Sequence, residues 1–158
     1  MKRLIVLILM LSAVAAAQVT CTLDWIRGTY AVSYIGWVSL AQPGGTMVTL
    51  PGTIVGVISI GNGGGLSGGG TVSVAGMGPT ADYDIFGTAA INSDCTGTLK
   101  MKPKPRAGGP AGTQTDRFVF NPVDRSLVTT TVDMGPVYYP TLVGTWRQVS
   151  AVPDTAAW

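Results

Sequence analysis

From residue 29 onward Gly, Pro, Asn and Asp cut this chain into short runs in which apolar and polar side chains alternate, and no other feature constrains its fold so strongly. The runs fall at 29–40, at 46–50 and 53–60 either side of a Pro51-Gly52 interruption, and then at 66–75, 82–92, 95–102, 116–121, 126–133 and 141–150. With the interrupted pair counted once, they make eight strands, and no stretch after residue 17 carries a helical period. The chain therefore reads as all-β. Eight sequential strands joined by short turns can close into an antiparallel up-and-down barrel, which removes the edges on which sheets aggregate. A two-sheet sandwich of the same strands is the alternative. Glycines within the runs, at 36, 56, 87, 97 and 144, suit the bends that closure requires. Pro51 cannot donate to a ladder, so a bulge or an edge is expected there.

The first 17 residues read as an export signal. Met1-Lys2-Arg3 is a short basic start, Leu4 to Leu11 is an unbroken apolar run, and Ala15-Ala16-Ala17 offers small residues for cleavage before Gln18. The apolar run is shorter than the roughly 20 residues of a membrane span, so no transmembrane segment is expected once the signal is removed. A single domain over 18–150 and a tail over 151–158 follow. Removing Lys2 and Arg3 leaves eight basic residues facing eight Asp, and no nucleic-acid-binding face is expected from so even a balance. Cys21 and Cys95 are an even pair in a chain read as exported, periplasmic or extracellular, which predicts one disulfide.

The sequence has no His and no Glu. Catalytic triads built on His, His-ligated zinc and imidazole proton shuttles are thereby excluded, and no metal or cofactor is expected. Two motif matches fail on their own physics. Gly63 to Gly68 fits GxGxxG, but a strand-like Thr71-Val72-Ser73-Val74 follows where a dinucleotide site needs a helix. Gly65-Leu66-Ser67-Gly68-Gly69 fits the nucleophile elbow, yet no base exists to activate Ser67. Lys100, Lys102, Lys104 and Arg106 read as the wet face of a strand end running into a Gly/Pro loop. Asp82 and Asp84 share one face of a strand and could bind a cation or do acid–base work, though surface carboxylates commonly face only water.

Three motifs in order, Gly28-Thr29-Tyr30, then Gly65-Leu66-Ser67-Gly68, then Asp94-Cys95-Thr96-Gly97-Thr98-Leu99, resemble those of a family of small exported bacterial proteins. That family in turn resembles the allene oxide cyclase-like barrels. The resemblance runs from about Cys21 to Val149 and implies a barrel fold. It carries over no catalytic residue, because the cyclases rely on a Glu that this chain lacks; Asn62, preceded by Gly61, also stands where the family has Asp.

Three kinds of function fit these readings. The first is a soluble barrel holding a small apolar ligand, whose chemistry, if any, would be a cofactor-free cyclisation or isomerisation. The second is a structural or surface-interaction protein with a filled interior. The third is an outer-membrane barrel, suggested by the terminal Trp158 and opposed by the Val152-Pro153-Asp154 break. Spacing singles out no catalytic or ligand-binding residue. Tyr30, Tyr34, Tyr83, Tyr138, Tyr139, Trp25, Trp37 and Trp146 could line a pocket or simply pack. Tyr30, Tyr34 and Val38 share one face of the first strand, and Ile35 and Trp37 share the other. Periodicity cannot say which face points inward.

Overall fold

Alternation becomes a closed wall in the computed structural model, which describes residues 20–41, 46–76, 78, 80–133 and 141–150. Residues 1–17, Tyr138, Tyr139 and the 151–158 tail with Trp158 lie outside the described residues. The strands are β1 Gly28–Ala41, β2 Met47–Ile60, β3 Gly65–Val74, β4 Ala81–Ile91, β5 Thr96–Pro105, β6 Gln114–Asn121, β7 Ser126–Asp133 and β8 Thr141–Ser150. Each pairs antiparallel with the next, and β1 also pairs with β8, so the sheet closes into an eight-stranded barrel. The sandwich is excluded. The face question resolves as well: Tyr30, Val32, Tyr34 and Val38 are buried inside, while Ile35 and Trp37 are 68% and 54% exposed outside.

Two boundaries depart from the sequence reading for a common reason. No bulge forms at Pro51, which pairs with Trp37 in continuous register. Its carbonyl accepts from Ala75 N just beyond the last β2–β3 pair, so its missing donor falls where that ladder has ended. Strand β5 runs on through Pro103 and Pro105 instead of stopping at Lys102. It stays paired to β4 as far as Pro105↔Tyr83, whereas its pairing to β6 stops at Met101↔Gln114. Carbonyls of both prolines accept from loop amides, Gly112 and Gly108, so their missing donors lie on that unpaired side.

One end of the barrel is plugged. A single helical turn, α1 (Leu23–Ile26), buries Ile26 fully. The Tyr30 hydroxyl donates to the Ile26 carbonyl at 2.8 Å, and Arg125 and Gln148 donate to the carbonyls of Trp25 and Arg27. A disulfide between Cys21 and Cys95, with Cα atoms 5.1 Å apart, fixes the plug to the β4–β5 turn. That turn is the Asp94–Leu99 motif: Asp94 Oδ1 accepts from Thr96 N and Thr96 Oγ1, and Cys95 sits at φ 67°. Above the plug Tyr30, Ile60, Leu99, Leu127 and Trp146 are fully buried, with Phe118 and Phe120 almost so, and this half of the lumen is solid.

Two interior glycines lie under aromatic rings. Gly144 pairs with Tyr34 and Gly97 pairs with Phe118. A Cβ on Gly144 would stand 2.5 Å from a Tyr34 ring carbon, and one on Gly97 would overlap the Phe118 ring. Each ring covers the backbone of its partner strand where the wall bends, which is how aromatic residues rescue glycines in curved sheets. The outer wall is uneven. No charged residue occurs between Arg27 and Asp82, so the outer faces of β1–β3 carry none. Lys100, Lys102 and Lys104 point outward from β5, as expected.

Candidate functional site

The half of the barrel away from the plug holds a cavity of about 400 Å³. Its walls are apolar residues from six strands, among them Val38, Ile54, Val72, Ile85, Met101 and Leu142. Because β5 and β6 part beyond Met101, the gap between them is covered by Pro103, Pro105 and the loop stretch Pro110–Thr113. The proline pairing described above therefore shapes the cavity directly. A filled barrel is excluded on this side.

The floor is polar. Tyr34, from β1, reaches across the lumen to β6, where its hydroxyl donates to Asp116 Oδ2 at 2.5 Å. Trp146 Nε1 donates to the same hydroxyl at 2.9 Å. Gln114 Nε2 donates to Asp116 Oδ1 and Oδ2 at 3.0 and 3.2 Å and to Thr131 Oγ1 at 3.4 Å. Tyr34 and Gln114 line the cavity, while Asp116 is fully buried behind them. The Thr129 hydroxyl is buried on the neighbouring strand without a hydrogen-bond partner. This strut divides the lumen into a packed half and an open half.

Burial pushes the Asp116 carboxyl above its ordinary value, against hydrogen bonds from Tyr34, Gln114 and Thr131 that hold it down. Burial, then the facing Asp116 charge and hydrogen bond, hold the Tyr34 phenol well above its usual value. Tyr30 is pushed up to about 12 by burial, opposed by Arg125. Tyr34, Asp116, Gln114 and Trp146 are thus tied to one another, and the floor presents a fixed polar surface to whatever enters the cavity.

No protein-family model, no curated protein and no solved structure matches the chain. The reading of the site therefore rests on geometry.

Residues singled out from the sequence are dispersed. Tyr34 and Tyr83 line the cavity; Tyr30 and Trp146 belong to the packed half; Trp25 and Trp37 are exposed outside. Ser67 is exposed on the outer wall, and the Gly61–Gly65 segment is a hairpin turn entering β3. Asp82 and Asp84 also face outward, where Asp82 accepts from Thr71 and Asp84 pairs with Arg106 Nε at 2.7 Å. No cluster able to hold a metal occurs among the described residues. Sequence reasoning missed Gln114 and Asp116. One signal was available: alternation on β6 places both with Phe118 and Phe120, so an acid sits on an apolar face.

Proposed function

We propose that this protein binds a small, mostly apolar molecule inside the open half of its barrel. The observation that carries the reading is the 400 Å³ cavity, which falls within the range of ligand pockets and has apolar walls over a fixed polar floor. A dry cavity of about 150 Å³ accommodates benzene, so on the same scale this one takes about 16 non-hydrogen atoms. The test is a titration with N-phenyl-1-naphthylamine, a neutral dye of about 17 non-hydrogen atoms that matches this volume and whose emission brightens in apolar surroundings. Saturable binding at one site per chain is expected, and Val72→Trp, which places an indole in the cavity, should abolish it. Failure of this dye and of simple alkanols alike to bind would overturn the reading.

The same proposal places the protein outside the cytoplasm, with residues 1–17 removed. Its support is the Cys21–Cys95 disulfide, a bond that persists in oxidising compartments. Kinship with the small exported barrels is proposed on the same footing; in its support, the Asp94–Leu99 motif builds the turn that holds the disulfide. No helix among the described residues is long and apolar enough to cross a membrane. A barrel embedded in lipid would turn Lys100, Lys102, Arg117 and Arg147 toward hydrocarbon, at about 2–4 kcal/mol each near the midplane.

A further inference from the structure

The proposal here rests on the pocket reading and concerns which guests the pocket admits. Among the described residues, each side-chain donor of the floor that lines the cavity is already committed, and the buried Thr129 hydroxyl does not line it. The Tyr34 hydroxyl donates to Asp116, and the Gln114 amide nitrogen donates to Asp116 and Thr131. The Trp146 indole N–H is spent on Tyr34. The prolines in the wall have no N–H to offer. One acceptor stays open: among the described residues nothing donates to Gln114 Oε1, and Gln114 lines the cavity. The amide is held this way round because its oxygen, if turned, would face the Asp116 carboxyl oxygens. No Lys or Arg lines the cavity to receive an anion. Among the described residues, the remaining side-chain hydroxyls of the lining stand toward the rim, on half-buried Tyr83 opposite the end of β5 and on exposed Thr113.

We infer that the cavity selects neutral apolar molecules that lead with a hydrogen-bond donor, an alcohol, phenol or enol hydroxyl, which Gln114 Oε1 accepts. A guest with only an acceptor at its head would bring a lone pair to cavity-lining groups of the floor that offer no free donor. A carboxylate would be driven into an uncharged cavity that ends on Asp116, and both desolvation and like charge oppose it.

The experiment is calorimetric titration of the unaltered protein with decanol, decyl methyl ether and decanoate, which share a chain and differ at the head. Decanol should bind about tenfold more tightly than the ether, the worth of one net hydrogen bond, and decanoate should bind most weakly. Gln114→Met should bring decanol and ether to the same affinity while both still bind. The Gln114 side-chain amide resonance, followed in the unaltered protein, should move with decanol more than with the ether, which keeps the assignment testable if the variant does not fold. Equal affinity for decanol and ether, or tightest binding of decanoate, would overturn the donor rule and leave the pocket standing. Absence of binding by all three, together with absence of N-phenyl-1-naphthylamine binding, would overturn the pocket itself.

Discussion

Replacing Tyr34 with Phe removes one oxygen from the strut, strands one buried donor and takes a hydrogen bond from a buried carboxyl. Asp116 Oδ2 loses a donor and Trp146 Nε1 loses its acceptor, and both residues are fully buried. An unsatisfied buried indole N–H costs about 1–3 kcal/mol, and the lost bond to the carboxyl, which keeps its Gln114 donor, is worth about 1.5–3 kcal/mol, so the loss should be about 3–5 kcal/mol. Tyr30→Phe is the control, because its hydroxyl serves only the Ile26 carbonyl, and about 1 kcal/mol is expected. Urea unfolding followed by tryptophan fluorescence gives both values; at an m of about 1.5 kcal/mol/M the Tyr34→Phe midpoint should fall by roughly 2–3 M. The deficit should also depend on pH in a defined sense. Asp116 binds its proton more tightly folded than unfolded, so its contribution to stability falls as pH rises from about 4 through the raised folded value. The Tyr34→Phe change withdraws one bond that holds this value down, raising it further and widening that window. Below about pH 4 the carboxyl is protonated in both states, and the deficit should shrink toward the Trp146 part alone. A deficit below about 1 kcal/mol, or one constant from pH 3 to pH 8, would refute the strut as described.

Other consequences can be checked more simply. Changing Cys21 and Cys95 together to Ser opens a loop closed across 74 positions, and the chain-entropy relation puts the loss at about 4.5 kcal/mol in urea unfolding. Gly97→Ala should destabilise by about 1–3 kcal/mol, because the new methyl group overlaps the Phe118 ring; an unchanged midpoint would contradict the ring placement. Ser67→Ala should leave stability within about 0.5 kcal/mol and ligand affinity unchanged, since the hydroxyl faces outward. On the export proposal, protein recovered from outside the cytoplasm should begin near Gln18 by N-terminal sequencing, and an intact Met1 would contradict it.

Much of the architecture is legible before any coordinates, because alternation and turn residues are local signals. The strand count, the antiparallel order and the hairpin reading of the Gly-rich turn all follow from them. The site is far less legible. Tyr34 and Asp116 lie 82 positions apart and meet only because the barrel brings β1 opposite β6. The cavity itself is set by where β5 and β6 separate, which depends on Pro103 and Pro105 keeping one paired neighbour each. A local pattern cannot distinguish a proline that ends a strand from one whose missing donor falls on an unpaired side. The inward face of β1 has the same character: both faces carry aromatic residues, and closure alone decides that Tyr34 goes in and Trp37 stays out.

Strand β1 takes its second neighbour from β8, so the first strand must wait for the last. Until then, a sheet built from β1–β3 presents an unpaired edge and carries no charge to repel its neighbours. After Arg27, just ahead of β1, no charged gatekeeper at the margin of a sticky strand occurs until Asp82. A pairing that spans nearly the whole chain also forms slowly, because its loop entropy must be met before its contacts are gained. Refolding yield should therefore fall with protein concentration far more steeply than the stability of the finished barrel would suggest. The molecule is most exposed to its own copies while it is half made.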